Sequence, residues 1–120
     1  EITSVSARFA EYLLEHPEVM HNVVKQIRAG QKLVQDRCKT IDIQTYPSWA
    51  NFVFLKLPDQ IDPEEVVRLL KERKIYIKGP FMEIPVDRMI RVTLGPPDQM
   101  GIFMDALADI MKELASANSA

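Results

Sequence analysis

The chain has 120 residues, enough for one hydrophobic core but not for two. It is 47% hydrophobic and 27% charged, which is typical of a globular domain. The formal net charge of −2 lacks the basic excess that attracts nucleic acid or an anionic membrane, and no apolar run approaches the ~18 residues of a membrane span, so neither is expected as a partner.

Two helices are predicted in the first third of the chain. Ser4 is a candidate N-cap for a first helix that ends at His16-Pro17, because proline disfavours a helical conformation in the residue before it. Pro17 then suits the first position of a second, long helix that reaches about Lys39. Gly30 lies within this helix at a cost of ~1 kcal/mol relative to alanine, which predicts a bend or a close contact.

Four later segments show the alternation or the apolar, β-branched composition of strands, at residues 41–46, 51–57, 75–78 and 89–95. Between the second and third, Asp62-Pro63 begins a helix with an aspartate N-cap and a proline at its first position. A final amphipathic helix begins at Pro97. The order α-α-β-β-α-β-β-α predicts an α/β (α+β) two-layer sandwich, with a mainly antiparallel or mixed four-stranded sheet, helices on one face and a long N-terminal linking helix.

The fourth predicted strand carries the most informative residue. Its alternation directs Ile90, Val92 and Leu94 to the core, whereas Met89, Arg91 and Thr93 point to the other face. A guanidinium in the middle of a strand needs water, a carboxylate or another anion. Arg91 is therefore the first candidate functional residue.

Three segments matter in combination: YPSWANFV at 46–53, LLKERKIYIK at 69–78 and IRVTLGPP at 90–97. In this order and spacing, over about residues 18–115, they resemble the C-terminal small domain of pyridoxal-phosphate-dependent class I/II aminotransferases, nearest to the histidinol-phosphate aminotransferase branch. The resemblance implies a domain at 18–115, preceded by a linker helix at 1–17 from a missing large domain and followed by a frayed tail at 116–120.

The resemblance also implies roles for two residues. Arg91 matches the arginine that binds the substrate α-carboxylate, where a planar guanidinium supplies two parallel donors. Lys78 stands where histidinol-phosphate enzymes have an arginine that helps to hold the substrate phosphate. A lysine attracts phosphate but cannot form two parallel hydrogen bonds to it as an arginine does. An equally good interpretation is that Lys78 lies at a strand end and only extends its ammonium group into water.

In such an enzyme the cofactor-binding lysine, the acidic partner of the cofactor ring and the phosphate-binding loop lie in the large domain. None of the lysines of this chain stands in the corresponding serine-lysine context. We therefore expect a fragment that contributes the substrate-carboxylate arginine, binds no pyridoxal phosphate alone and is inactive alone. The full-length enzyme would use the cofactor, act on an amino acid and a 2-oxo acid, and form a homodimer.

The remaining candidates for chemistry have simpler interpretations. His16 and His21 lack further ligands at metal-binding spacing, so no metal site is predicted. Cys38 continues an apolar helix stripe; as the single cysteine it excludes an internal disulfide and favours a reducing, cytoplasmic compartment. Ser48 lacks partners for hydrolase chemistry, and Asn51 suits a turn at a strand entry.

Two rival functions remain open at this point. The first is a free-standing α/β module that binds a small molecule or a partner protein through its open sheet face, without catalysis. The second is a decarboxylase or lyase of the same fold. The segment 81–87 is another candidate boundary of a substrate side-chain pocket, although loop packing explains it equally well.

Overall fold

The computed structural model describes residues 8, 10–12, 14–47, 51–82 and 86–119. Residues 8, 10–12, 14 and 15 are helical, and the helix is interrupted at His16, as the proline that follows it predicts. The longest helix, α1, spans Pro17–Thr40 and has proline in its first turn. The predicted N-cap at Ser4 lies outside the described residues.

Three strands form one antiparallel sheet in the order β1-β2-β3. They are β1 at Gln44–Pro47, β2 at Phe52–Lys56 and β3 at Ile90–Thr93. The described chain is thus a mixed α/β structure, and its sheet is antiparallel throughout.

The predicted four-stranded sheet is reduced to three strands among the described residues. Of the segment 75–78, only Lys78 pairs with β3, through an isolated antiparallel bridge to Arg91. The backbone N–H of Ile75 instead donates to the Leu70 carbonyl oxygen at 2.9 Å. Because that donor closes the end of the preceding helix, the segment joins the sheet at its last residue alone.

Two more helices follow the sequence prediction closely. Helix α2 spans Pro63–Glu72, and the Asp62 side chain accepts a hydrogen bond from the Glu64 backbone N–H at 3.0 Å. Helix α3 spans Pro97–Ser119, so it continues through residues for which the sequence predicted a frayed tail. In the described part of the chain, no helix combines the length and apolar character that crossing a membrane requires.

The helices and one face of the sheet share a single hydrophobic core. The sheet contributes Val53, Leu55, Ile90 and Val92, all almost fully buried. The helices contribute a larger set: Val34 and Cys38 from α1, Val66 and Leu70 from α2, and Met100, Phe103, Met104, Leu107, Ile110 and Met111 from α3. The methionines of α3 are therefore packing residues, as their helical spacing predicts.

Gly30 lies close to the turn after β3. A Cβ atom at Gly30 would overlap the Gly95 carbonyl oxygen and lie 3.1 Å from Met100 Cγ. The close contact predicted from the sequence is confirmed. The absence of a side chain at Gly30 lets the long helix approach the junction between the strand that carries Arg91 and the last helix.

Candidate functional site

The face of the sheet opposite the core is built around Arg91. On one side Arg91 lies opposite Phe54 of β2, and on the other side it lies opposite Lys78. Directly opposed residues of antiparallel strands point to the same face, so all three side chains project away from the core. The two sequence-predicted site residues, Arg91 and Lys78, are therefore neighbours on one surface, which we call the open face.

The backbone holds these two neighbours firmly. The Arg91 N–H donates to the Lys78 carbonyl oxygen at 2.7 Å, and the Lys78 N–H donates to the Arg91 carbonyl oxygen at 3.2 Å. Lys78 is exposed, whereas Arg91 is half-buried. Two like charges directly opposite each other destabilise a strand pair. An anion that binds between or beside Lys78 and Arg91 would therefore stabilise their pairing.

The Arg91 guanidinium lies over an aromatic ring. Its Cζ atom is 4.6 Å from the centroid of the Phe52 ring, at cation–π distance. Phe52 is opposite Thr93 in the strand register, so the arginine side chain leans diagonally across the sheet instead of lying over the directly opposed Phe54. Within the described part of the chain, Arg91 forms no ion pair, and its buried Nε has no hydrogen-bond partner.

Three phenylalanines form a continuous edge-to-face row on the open face. The Phe52 and Phe54 ring centroids are 5.7 Å apart with an interplanar angle of 86°. Phe54 makes a second contact of 5.7 Å, at 65°, with Phe81. Edge-to-face pairs of this kind are favourable beyond the area they bury, so the row fixes the orientation of the ring under Arg91.

The segment after Lys78 brings Phe81 to this face. The Phe81 N–H donates to the Met89 carbonyl oxygen at 3.2 Å, and the Arg88 N–H donates to the Phe81 carbonyl oxygen at 2.7 Å. Met89 is buried, although the alternation of the predicted strand directs it away from the core. Met82 is 93% exposed, and Ile84 lies outside the described residues.

The other candidates have structural explanations where the structure describes them. His16 Nδ1 is 2.9 Å from the Tyr12 carbonyl oxygen, and its ring stacks on Tyr12 at 4.0 Å. The described residues include no group of histidine, cysteine and carboxylate side chains suited to a metal ion. Burial raises the pKa of the Cys38 thiol to about 12 despite the nearby positive charge of Arg37.

The backbone of Asn51 takes part in the sheet. Its carbonyl oxygen accepts a 2.7 Å hydrogen bond from the Leu94 N–H, which extends the pairing of β2 with β3. Its exposed position agrees with the prediction of a structural residue at a strand entry. Ser48 lies outside the described residues.

The sequence did not predict the contact between Phe52 and Arg91. The composition of 51–57 indicated only a strand that is apolar on both faces. The available signal was two aromatic residues, Phe52 and Phe54, spaced two apart on the face that also carries Arg91. The contact itself depends on the register between β2 and β3, which the sequence alone does not fix.

Comparison with known proteins gives this geometry a family context. No protein-family model matches the chain. A histidinol-phosphate aminotransferase from Aquifex aeolicus is 25% identical over 118 residues, which cover 97% of this chain and 33% of the relative. A decarboxylase structure from Sulfurospirillum multivorans is 30% identical with a TM-score of 0.63 and covers 72% of this chain and 25% of that one. The predicted resemblance is confirmed.

The fold comparison extends over most of the chain. Histidinol-phosphate aminotransferase from Sinorhizobium meliloti, solved in complex with pyridoxal-5'-phosphate, superposes with a TM-score of 0.72 at 23% identity. That match covers 84% of this chain and 28% of the solved one. The chain therefore has the fold of the C-terminal small domain of aminotransferases and related decarboxylases, and it spans about a third of the length of the curated relatives it matches.

Proposed function

We propose that this chain is the C-terminal small domain of a pyridoxal-phosphate-dependent aminotransferase, with Arg91 as the residue that binds the substrate α-carboxylate. Residues 18–115 form the domain in this proposal, and residues 1–17 belong to a helix that links it to a large domain. The full enzyme transfers an amino group between an amino acid and a 2-oxo acid in the cytoplasm, as a homodimer.

The position of the Arg91 guanidinium carries this proposal. The side chain projects from the sheet face opposite the core, and no carboxylate among the described residues neutralises it. A half-buried guanidinium without an internal partner binds an incoming carboxylate at low reorganisation cost, through two parallel charge-assisted hydrogen bonds. The carboxylate common to all α-amino and 2-oxo acids is the ligand that this arrangement fits.

Lys78 extends the proposal toward the substrate side chain. Its ammonium is exposed beside Arg91 and is available to a second anionic group, such as a phosphate ester. As a compact point charge it attracts that group without imposing a bidentate geometry. We propose that it aids a doubly anionic substrate, and that its loss affects such substrates more than simple amino acids.

The cofactor requires residues that this chain does not supply. Pyridoxal phosphate, when bound, withdraws electrons from the carbon that carries the amino group. A lysine that bonds to such a cofactor needs a desolvated, nucleophilic amine, whereas all eight lysines here are exposed. The residues present therefore do not fit the lysine role, and the proposal assigns cofactor binding to the large domain.

The sheet in the full enzyme is part of the same proposal. The paired Lys78 and Arg91 occupy the outer edge of β3, where a fourth strand at 75–78 would continue the sheet. A two-layer sandwich with helices on one face would leave the open face directed at the large domain. The shared core of the helices and one sheet face supports this arrangement.

Arg91 variants of the full-length protein test the proposal. Replacing Arg91 with alanine removes a charge-assisted contact, so we expect about 10- to 100-fold weaker amino-acid binding. The affinity for pyridoxal phosphate should stay within a factor of two of the wild-type value. Arg28→Ala is the matched control, because Arg28 is exposed on α1, a helix that packs against the core on the other face of the sheet from Arg91.

Equal losses of amino-acid and cofactor affinity in Arg91→Ala would contradict the assigned role. Wild-type amino-acid affinity in that variant would contradict it as well. The rival function, a free-standing α/β module that binds a different ligand without catalysis, predicts that the wild-type protein binds neither the amino acid nor pyridoxal phosphate. The 120-residue chain alone should neither catalyse amino transfer nor bind the cofactor stoichiometrically. Catalysis by the isolated chain would contradict the assignment of cofactor chemistry to another domain.

A decarboxylase is the second candidate, because the Sulfurospirillum multivorans enzyme is similar at 30% identity. The two reactions differ in what becomes of the carboxylate. An aminotransferase retains it and releases a 2-oxo acid, whereas a decarboxylase releases carbon dioxide and an amine. Measuring both products from one amino acid in the same reaction mixture decides between the two candidates.

A further inference from the structure

We infer that Phe52 is a positioning residue for Arg91, which holds the guanidinium ready for its carboxylate by a cation–π contact. This inference rests on the proposed function and adds a residue to the same site. It concerns how the arginine is held before a ligand arrives, because the described structure gives that side chain no acidic partner.

The Arg91 guanidinium lies over the Phe52 ring. The Arg91 Cζ atom lies 4.6 Å from the Phe52 ring centroid, and the side chain is half-buried. A cation over an aromatic face is attracted by the negative potential of the ring, and partial removal from water strengthens that attraction. The ring therefore partly replaces the hydration that Arg91 loses on the sheet.

The Nε atom of Arg91 is buried and has no hydrogen-bond partner among the described residues. A free arginine side chain would normally rotate to satisfy such a donor in water. Here the Phe52 contact holds it in place. A side chain fixed in this way loses less conformational freedom when a carboxylate binds.

Neighbouring aromatic rings fix the orientation of the Phe52 ring. Phe52 packs edge-to-face on Phe54, and Phe54 packs in turn on Phe81. Phe52 and Phe54 come from β2, whereas Phe81 comes from the segment that follows Lys78. The row thus ties the ring under Arg91 to two separate parts of the chain, so the site is prearranged by more than one contact.

The inference predicts a spectroscopic signature in the wild-type chain. Protons above an aromatic face move upfield, so the Arg91 side-chain δ and ε protons should resonate upfield of those of the other arginines. The assignment comes from the signals that disappear in Arg91→Lys. Arg91 signals at ordinary arginine positions would overturn the inference without any Phe52 variant.

Two Phe52 variants then separate the ring from simple bulk. Phe52→Leu keeps an apolar side chain but removes the aromatic face, and it should return the Arg91 signals to ordinary positions. Phe52→Tyr retains the face and should keep them upfield. Tyr46→Leu is the control, because Tyr46 is an aromatic residue of β1 that lies opposite Phe54 on the same face, with its hydroxyl 2.8 Å from Gln44 Oε1.

The kinetic arm uses the full-length enzyme with its cofactor. Phe52→Leu should raise KM for the amino acid about three- to ten-fold with little change in kcat, and Phe52→Tyr should restore KM. Tyr46→Leu should leave both constants unchanged. If Arg91→Ala weakens substrate binding while Phe52→Leu behaves as wild type, this inference alone is overturned. If Arg91→Ala leaves substrate binding intact, the proposed function is overturned together with the role given to Phe52.

Discussion

Replacing Gly30 with alanine should destabilise the protein, although alanine is the better helix former. Gly30 is buried in α1, and an added Cβ would overlap the Gly95 carbonyl oxygen. A backbone carbonyl cannot rotate away as a flexible side chain can. The methyl group must therefore push α1 away from the turn that follows β3.

The magnitude follows from two opposing effects. Alanine gains about 1 kcal/mol over glycine in a helix interior. Overpacking a rigid site costs about 1–3 kcal/mol, and the overlap with a backbone atom places this site at the upper end of that range. We expect a net loss of about 2 kcal/mol in the free energy of unfolding.

Gly101→Ala provides a matched control in α3. A Cβ atom at Gly101 would meet nothing within 4 Å, so only the helix-propensity gain applies. That variant should be more stable by about 0.5–1 kcal/mol. Urea unfolding followed by circular dichroism measures both changes on one scale. A stability gain in Gly30→Ala would refute the close-contact argument, as would equal shifts in the two variants.

Two further predictions concern a buried thiol and a helix cap. Burial raises the pKa of the folded Cys38 thiol from 9.0 to about 12, so the unfolded chain loses this proton at lower pH than the folded chain does. The Cys38 contribution to stability is therefore complete below pH 9.0 and is lost as pH rises toward about 12. Over that range the free energy of unfolding, measured by urea unfolding at each pH, should fall less steeply with pH for Cys38→Val than for wild type. The same dependence on pH in both proteins would contradict the raised pKa of Cys38. Asp62→Ala removes the acceptor for the Glu64 N–H and should lower the free energy of unfolding by about 1 kcal/mol in the same assay, whereas Asp59→Ala, at an exposed residue outside any helix, should change it little.

The helices were predictable because their signals are local. Asp62 and Pro63 supply a cap and a first-turn proline within two residues, and the structure begins α2 at Pro63. Pro17 separates the first two helices in the same way. The apolar spacing in α3 also places Met104 and Ile110 in the core correctly.

The strands were less predictable because residues after a helix are also used to close it. The predicted first strand began at Ile41, but the N–H groups of Ile41 and Ile43 both donate to the Cys38 carbonyl oxygen at the end of α1, and β1 begins at Gln44. Ile75 is diverted from the sheet by the same kind of bond, to Leu70 at the end of α2. β-branched residues just after a helix can either begin a strand or donate their N–H groups to the last carbonyl groups of the helix. Only the three-dimensional path of the chain decides between these two possibilities.

The sequence predicted the charged residue of the candidate site, but not the aromatic ring that it contacts. Alternation within β3 is a property of one strand, so it directs Arg91 away from the core without knowledge of its neighbours. The Phe52–Arg91 contact joins two strands diagonally, because Phe52 is paired with Thr93 and not with Arg91. The two residues are 39 positions apart in the sequence. Long-range register of this kind is set by the packed core, which local patterns do not describe.

The most direct test of Arg91 compares an amino acid with the amine that lacks its carboxylate. Dissociation constants for both ligands are measured in full-length wild type and in Arg91→Ala, by titration of the cofactor-bound protein. If Arg91 binds the carboxylate, the ratio of the amine Kd to the amino-acid Kd should be about 10- to 100-fold larger in wild type than in Arg91→Ala. An equal preference in the two proteins would contradict the assignment of the carboxylate to Arg91.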